Sequence, residues 1–282
     1  MQKDHLNSPW RKTTMALYAP PNEGKIYGTM DIDITTAEEF VRESRAAGKR
    51  ITMTHLVTAA LGRILKNDIP EVNVFIRRGK FVPREDVTVM VAVNMKRGQE
   101  MGSIRIHDAD KKSVFQIAEE IRTKAATARQ GVENETMKNK FVLGSIPWPF
   151  RRFTFVLLKW ITNTLGFELP FLGLTHSAFG SILLSNIGTH GLNTGMAALF
   201  PGAKLPAVII MGKAEPRPVV RDGEIVIRTI MPFTATIDHR VMDGFHAGVM
   251  ANRMIYYLQH PDILAVEERP TPGDAPEAPR NE

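Results

Sequence analysis

The chain has 282 residues, of which 43% are hydrophobic and 23% are charged, a composition typical of a globular protein. Its net charge is +6, and the positive residues are scattered singly or in pairs. That pattern argues against a nucleic-acid partner and suits a polyphosphate ligand or anionic lipid. Cysteine is absent, which excludes disulfides, thiolate metal sites and a cysteine nucleophile. Residues 1–11 are polar and show no secretory signal, so we expect a cytoplasmic protein.

The predicted elements, taken in chain order, mix strands and helices without a regular alternation. Strands are predicted at residues 25–34, 72–75, 80–82, 87–93, 181–184, 207–211, 224–230 and 231–237. Helices are predicted at residues 36–47, with Thr36 as N-cap, at 54–65, from Ser113 onwards and from Gly244 onwards. This order favours an α/β fold with two layers, a mixed β-sheet with helices packed on one face.

The strongest chemical signal is His239, within the sequence IDHRVMDG at residues 237–244. It lies between a predicted strand and a predicted helix, where Gly244 allows a tight turn. Histidine is the side chain best suited to proton transfer near neutral pH. From this segment alone, however, a structural histidine is as good an interpretation as a catalytic one.

Residues 238–244 (DHRVMDG) also match the His-x-x-x-Asp-Gly signature of a known family. The chain resembles the acyltransferase component of 2-oxo acid dehydrogenase complexes, whose fold and signature chloramphenicol acetyltransferases share. Further segments resemble family blocks in order and spacing: residues 27–33, 107–113, 184–188, 209–213 and 217–224. The resemblance covers roughly residues 10–140 and 178–262 and implies a chloramphenicol acetyltransferase-like fold.

The resemblance also implies roles for individual residues. His239 would be the general base, and Ser185 would donate a hydrogen bond to the oxyanion. Asp243 would hold the histidine turn through an ion pair with an N-terminal arginine, a role that Arg11 fits. Without the resemblance, Ser185 could equally be a serine that caps its own turn. A metal site that includes His246 has no mechanistic precedent at this spacing, so we expect no metal, and the residues that contact the cofactor are not identified.

The implied function is transfer of an acyl group between coenzyme A and a thiol such as dihydrolipoamide. The implied assembly is a homotrimer with active sites between subunits, rather than a larger cage. One alternative is a hydroxyl-directed O-acetyltransferase. Another is a non-catalytic trimeric scaffold of the same fold, although a scaffold would need neither Ser185 nor His239.

The chain departs from the family outside its catalytic core. No lipoyl domain is recognisable, so we expect a free-standing catalytic domain at residues 1–266, without covalently bound lipoyl, served by a separate lipoylated carrier protein. Residues 267–282 are rich in proline and acidic residues, which predicts a disordered tail.

Residues 141–176 form an atypical hydrophobic insertion, too short and interrupted to span a bilayer. Three interpretations stay open: core or trimer contact, peripheral membrane contact through residues 141–174, and the lining of a pocket for a bulky acyl group.

Overall fold

A computed structural model describes residues 24–95, 100–129, 147, 150–199 and 203–267. Arg11, residues 130–146 and residues 268–282 lie outside this part of the chain, so the predictions made for them stay predictions. The described residues form a seven-stranded sheet, a separate two-stranded sheet and a layer of helices.

The strands are β1 Lys25–Asp33, β2 Val74–Arg77, β3 Lys80–Pro83, β4 Val89–Met95, β5 Glu100–Ile106, β6 Ile182–Asn186, β7 Ala207–Met211, β8 Glu215–Arg221 and β9 Glu224–Asp238. The helices are α1 Thr35–Ala46, α2 Met53–Asn67, α3 Val114–Arg129, α4 Phe150–Lys159 and α5 Gly244–Gln259. The predicted strands at residues 224–230 and 231–237 are one continuous strand, β9.

The large sheet has the order β1-β9-β7-β6-β4-β5, and β8 pairs with β9. Strand β6 runs parallel to β4 and β7, whereas the other neighbours are antiparallel. The sheet is therefore mixed, as predicted. Strands β4, β6 and β7 begin at the end of the sheet where β9 stops. We call this end of the sheet, where β9 stops, the His239 end, and we call the opposite end of the strands the Ser185 end.

The helices α1, α2, α3 and α5 cover one face of the sheet, which confirms the predicted layer. In α2, every residue from Leu56 to Leu65 is buried, because α2 packs between α3 and α5 as well as on the sheet. Alternating strand residues such as Leu184 and Ile209 join this core. The fold is thus built on one large apolar cluster between helices and sheet.

The other face of β6 and β7 is covered by the segment that connects them. Leu199, Ala203 and Leu205 pack against Val208 and Ile210 of β7 to form a second, smaller apolar cluster. Because successive residues of a strand point to opposite faces, β7 is buried on both sides. This explains its uninterrupted apolar sequence.

Two local features differ from the sequence analysis. Helix α1 begins at Thr35, and the prediction of Thr36 as N-cap was wrong, because the Asp33 carboxylate binds the backbone nitrogen and hydroxyl of Thr35 at 3.1 and 2.6 Å. Strand β5 was not predicted. It lies at the sheet edge, where an alternating apolar pattern is not required.

Candidate active site

The turn that carries His239 is fixed to the body of the fold by backbone hydrogen bonds. At the end of β9, the Asp238 nitrogen donates to the Pro206 carbonyl at 2.8 Å, and the His239 nitrogen donates to the Gly24 carbonyl at 2.6 Å. The chain then reverses, because the nitrogens of residues 241 and 242 both donate to the Asp238 carbonyl, at 2.9 and 3.0 Å. These hydrogen bonds hold the histidine at the His239 end of the sheet.

The imidazole of His239 has a defined orientation. Its Nδ1 lies 2.9 Å from the carbonyl oxygen of Met242. A carbonyl can only accept, so in the neutral ring the proton resides on Nδ1 and the lone pair on Nε2. Nε2 is therefore the nitrogen that can take up a proton, as a general base requires.

The neighbouring Asp238 supports the turn through an ion pair with Arg240. Its Oδ1 lies 2.9 Å from the Arg240 Nε, and its Oδ2 lies 2.5 Å from Nη2, a two-pronged contact between largely buried side chains. The sequence analysis did not identify this contact. The signal available for it was a pair of opposite charges two residues apart, which by itself is too common to be specific.

Asp243 is the N-cap of α5. Its Oδ1 accepts hydrogen bonds from the backbone nitrogens of Phe245 at 3.0 Å and His246 at 3.2 Å, and from the His246 Nδ1 at 2.6 Å. Burial raises the pKa of Asp243, but the hydrogen bonds from His246 and Phe245 outweigh it and hold the pKa below its usual value. Asp243 thus orders the start of the helix that follows the histidine turn.

Gly244 is the first residue of α5, and a Cβ at this position would meet no atom within 4 Å. Its φ lies outside the left-handed region, so within one chain the turn does not require glycine there. His246 extends away from His239, with its Nε2 at 3.4 Å from the Glu71 carboxylate. Within the described ranges, no group of three or more His, Cys, Asp or Glu residues is placed to hold a metal ion.

Ser185 lies near the end of β6 and is half-buried. The next residue, Asn186, points towards the helices, since its Nδ2 donates to the Thr54 hydroxyl at 3.1 Å. The alternation of the strand therefore places Ser185 on the other face, together with Leu183. The serine faces away from the helix layer.

Ser185 and His239 lie at opposite ends of the sheet within one chain. Ser185 is paired with Ile210, and Ile210 is paired with Thr234. His239 follows Thr234 by five residues, which corresponds to about 16 Å at roughly 3.3 Å per residue. The two side chains therefore do not meet within one subunit. The sequence analysis combined His239 with the serine of a neighbouring subunit, and that combination stays a prediction.

The segments at residues 184–188 and 209–213 meet backbone to backbone. The Ile187 nitrogen donates to the Met211 carbonyl at 2.9 Å. A Cβ on Gly188 would overlap the Gly212 carbonyl, and a Cβ on Gly212 would overlap the Asn193 carbonyl. Glycine is needed at both positions because the two main chains approach so closely. This contact holds the end of the strand that carries Ser185.

A cavity of about 260 Å³ lies between α5 and the strands β1 and β9. Its lining includes Gly28, Phe233, Ile237, Ala247 and Gly248 and is largely apolar. Ile237 precedes His239 by two residues on β9, so the cavity begins beside the histidine turn. An apolar space of this kind fits an acyl group or another uncharged moiety.

A mixed sheet with helices on one face and a histidine turn at its edge defines a chloramphenicol acetyltransferase-like α/β protein. The chain belongs to the family of 2-oxoacid dehydrogenases acyltransferase (catalytic domain), whose model matches residues 19–142 and 173–266. The resemblance seen in the sequence is thereby confirmed. The unmatched residues 143–172 fall within the predicted insertion.

Similarity to individual proteins agrees with this membership. The chain is 25% identical, over 248 residues, to the dihydrolipoyllysine-residue acetyltransferase component of the acetoin cleaving system of Bacillus subtilis, covering 86% of this chain and 51% of that protein. It thus spans about half the length of that curated relative. The solved cubic core of the pyruvate dehydrogenase multienzyme complex has a TM-score of 0.62 and 20% identity, with 90% of this chain and 88% of that chain covered. A chloramphenicol acetyltransferase structure has a TM-score of 0.50 and 18% identity, with 91% and 99% covered.

Proposed function

We propose that this chain transfers an acyl group between coenzyme A and a dihydrolipoamide-like thiol on a lipoylated carrier protein, with His239 as general base. Family membership supports acyl transfer. The printed name of the Bacillus subtilis relative, a dihydrolipoyllysine-residue acetyltransferase, supports this acceptor. The observation that carries the proposal is the contact of the His239 Nδ1 with the Met242 carbonyl, which leaves the lone pair on Nε2.

Coenzyme A supplies the thioester or, in the reverse direction, the acceptor thiol. The His239 Nε2 takes the proton of the acceptor sulfhydryl while the sulfur forms its bond to the carbonyl carbon. The same proton is returned to the sulfur that leaves as the old carbon–sulfur bond breaks. An imidazole and a thiol with a pKa of about 8.5 are close enough in acidity for this exchange near neutral pH.

The hydroxyl of Ser185, supplied by a neighbouring subunit, donates a hydrogen bond to the carbonyl oxygen as that oxygen becomes negative. Such a donor typically contributes about 3 kcal/mol to transition-state stabilisation. The separation of about 16 Å within one chain, from five residues at roughly 3.3 Å each, is the reason that a second subunit must supply it. We propose a homotrimer in which each site takes His239 from one copy and Ser185 from the next.

Mixing two inactive variants tests this arrangement directly. His239→Ala and Ser185→Ala are each expected to lack activity as pure proteins, because each lesion removes one half of every site. In randomly mixed trimers, about a quarter of the interfaces join an intact histidine to an intact serine, so about a quarter of the wild-type activity returns. If each site were built within one chain, mixing would restore nothing.

The acceptor is tested with acetyl-CoA as donor and dihydrolipoamide or a small alcohol as acceptor. A thioester product that requires His239 supports the proposal, and exclusive transfer to the alcohol would indicate an O-acetyltransferase instead. Absence of turnover with any acyl-CoA, in a protein that still binds coenzyme A and forms trimers, would favour the scaffold interpretation.

A further inference from the structure

Helix α4 presents its apolar side to solvent. The exposed side chains are Phe150, Phe153, Val156, Leu157 and Trp160, which are 65, 69, 59, 41 and 51% exposed. They repeat at helical spacing on one side, while Thr154 and Leu158 on the other side are half-buried. We call these five exposed residues the α4 face. Phe167 and Phe171, 50 and 76% exposed, lie in the segment that follows. Because these five side chains are exposed, the α4 face is not part of the core of the subunit.

The insertion is attached firmly to the rest of the chain. The Arg77 Nε donates to the Gly166 carbonyl at 3.0 Å, and the Arg78 Nε donates to the Leu165 carbonyl at 2.8 Å. The Lys204 Nζ donates to the Thr162 carbonyl at 2.9 Å. Three cationic side chains from outside the insertion therefore hold the turn after α4. The C-terminal end of α4 is thereby tied to the body of the folded protein.

The surroundings of the α4 face are strongly basic. The insertion carries Arg151, Arg152 and Lys159, and the β2–β3 hairpin that binds it has Arg78 and Lys80 exposed at its tip. Residues 147–199 contain a single acidic residue, Glu168. Its carboxylate accepts a hydrogen bond from the His176 backbone at 2.8 Å. Exposed aromatic rings together with the exposed cations Lys159, Arg78 and Lys80 are complementary to anionic lipid headgroups over an apolar interior.

The dimensions and charge narrow the choice of occupant. In the part of the chain that the structure describes, no helix is long and apolar enough to cross a membrane. The ten residues of α4 span about 15 Å, which suits a helix lying in the plane of the bilayer surface. Two copies pressed together symmetrically through this face would place their cations opposite one another, which disfavours a two-fold contact there.

We propose that the α4 face docks on an anionic bilayer surface, with the His239 end of the sheet towards the lipid. The orientation follows from Lys204, which binds the insertion, while Pro206, two residues further on, accepts the hydrogen bond of the Asp238 nitrogen. The insertion and the histidine turn therefore both lie at the His239 end of the sheet. This inference goes beyond the proposed function and does not depend on it.

Co-sedimentation of the full chain with vesicles of phosphatidylcholine, with and without phosphatidylglycerol, tests the proposal. The wild type is expected to bind the anionic vesicles and to dissociate at high salt. Phe153→Ser/Trp160→Ser should weaken binding by about tenfold or more, since it removes the inserted rings. Lys159→Glu should weaken it by at least about fivefold. Ile225→Ser/Ile227→Ser removes two side chains that are 78 and 77% exposed elsewhere and should change binding by less than about twofold.

A second measurement does not depend on variants of the face. The chain has three tryptophans, so Trp10→Phe/Trp148→Phe leaves Trp160 as the single reporter. Its emission should shift to the blue with anionic vesicles and be quenched by brominated acyl chains. Failure of the wild type to bind, equal binding by Phe153→Ser/Trp160→Ser, or unquenched Trp160 would each overturn the proposal. So would a change of subunit number in that variant, measured by light scattering, because a second copy would then cover the face.

Discussion

The histidine turn and the insertion that contains α4 both lie at the His239 end of the sheet, but their side chains differ in the contacts that they make. The turn directs its polar groups to partners in the same chain: His239 to a carbonyl, Asp238 to Arg240 and Asp243 to the start of α5. The insertion is held through its backbone carbonyls, whereas the apolar side chains of the α4 face are exposed. The family model matches the histidine turn, whereas most of the insertion lies outside the residues that it matches.

This difference indicates a division of labour. A site whose groups are fixed internally can perform chemistry that requires one orientation of an imidazole. A surface with exposed apolar side chains, such as the α4 face, gains stability when something covers it. Variants of the turn should therefore alter catalysis and leave association with vesicles unchanged, and variants of the α4 face should do the reverse.

The largest expected effect is on catalysis. His239→Ala should lower the rate of acyl transfer by about 10²- to 10⁴-fold, because in the proposed mechanism the His239 imidazole takes the thiol proton. Steady-state kinetics with acetyl-CoA and dihydrolipoamide measure it. His260→Ala is the matched control, since that exposed histidine contacts the Tyr256 carbonyl far along α5 and its loss should be nearly neutral. If His239→Ala also lowered vesicle binding, catalysis and membrane association would not be separate properties of the turn and the α4 face.

Gly188→Ala is expected to destabilise the matched part of the chain by about 1–3 kcal/mol, because the new methyl group would displace the Gly212 main chain. Urea unfolding followed by circular dichroism gives the free energy. Gly28→Ala is the control, since a Cβ there meets no atom within 4 Å. Phe153→Ser/Trp160→Ser should leave the unfolding free energy unchanged within about 0.5 kcal/mol, as expected for exposed positions.

His55 makes the helix layer sensitive to acid. Burial, and secondarily the positive charge of Arg45, lower the pKa of His55 to about 4 from an ordinary value of 6.5. Between pH 6.5 and pH 4 the unfolded chain therefore binds more protons than the folded one. The folded state has its full stability with respect to His55 above pH 6.5, and it loses stability as the pH falls towards 4. The loss should be about 2 kcal/mol for this partly exposed ring.

His55→Gln isolates that effect. The His55 Nδ1 accepts a hydrogen bond from the Thr52 nitrogen at 3.2 Å, and a glutamine side chain can accept the same bond at this position of a helix. Unfolding free energies at pH 7 and pH 4.5 should differ less in the variant than in the wild type. An equal difference in both proteins would show that other groups cause the acid sensitivity.

Asp243→Ala should lower the unfolding free energy by about 1 kcal/mol, from loss of the N-cap of α5. Asp243→Asn keeps the cap oxygen and should recover most of it. A temperature shift in thermal unfolding measures both variants. If Asp243→Ala lowered activity far more than stability, the start of α5 would also position His239. An unchanged unfolding temperature would show that the cap contributes little.

The sequence predicted the position of the histidine turn, between β9 and α5, because the pattern that defines it is local. His239, Asp243 and the helix after them are specified by residues within a few positions of one another. The sheet and its helix layer were predicted because apolar periodicity reports which face is buried. Thr36 failed as the N-cap because α1 already begins at Thr35, where the Asp33 carboxylate accepts hydrogen bonds from the Thr35 nitrogen and hydroxyl.

Long-range relations were beyond the sequence. The separation of Ser185 from His239 depends on strand register, which couples residues 185, 210 and 234. The hydrophobic insertion at residues 141–176 was recognised, but apolar composition and periodicity show only that a segment has an apolar side. The place at which the insertion is held depends on Arg77, Arg78 and Lys204, more than 30 residues away in the chain on either side.

The placement of Ser185 and His239 at opposite ends of one sheet has a consequence for how the protein behaves at low concentration. In the proposed trimer each site takes its two halves from different copies, so a solitary copy would hold no complete site. Specific activity would then fall on dilution below the dissociation constant of the assembly, and it would return on reconcentration without any refolding.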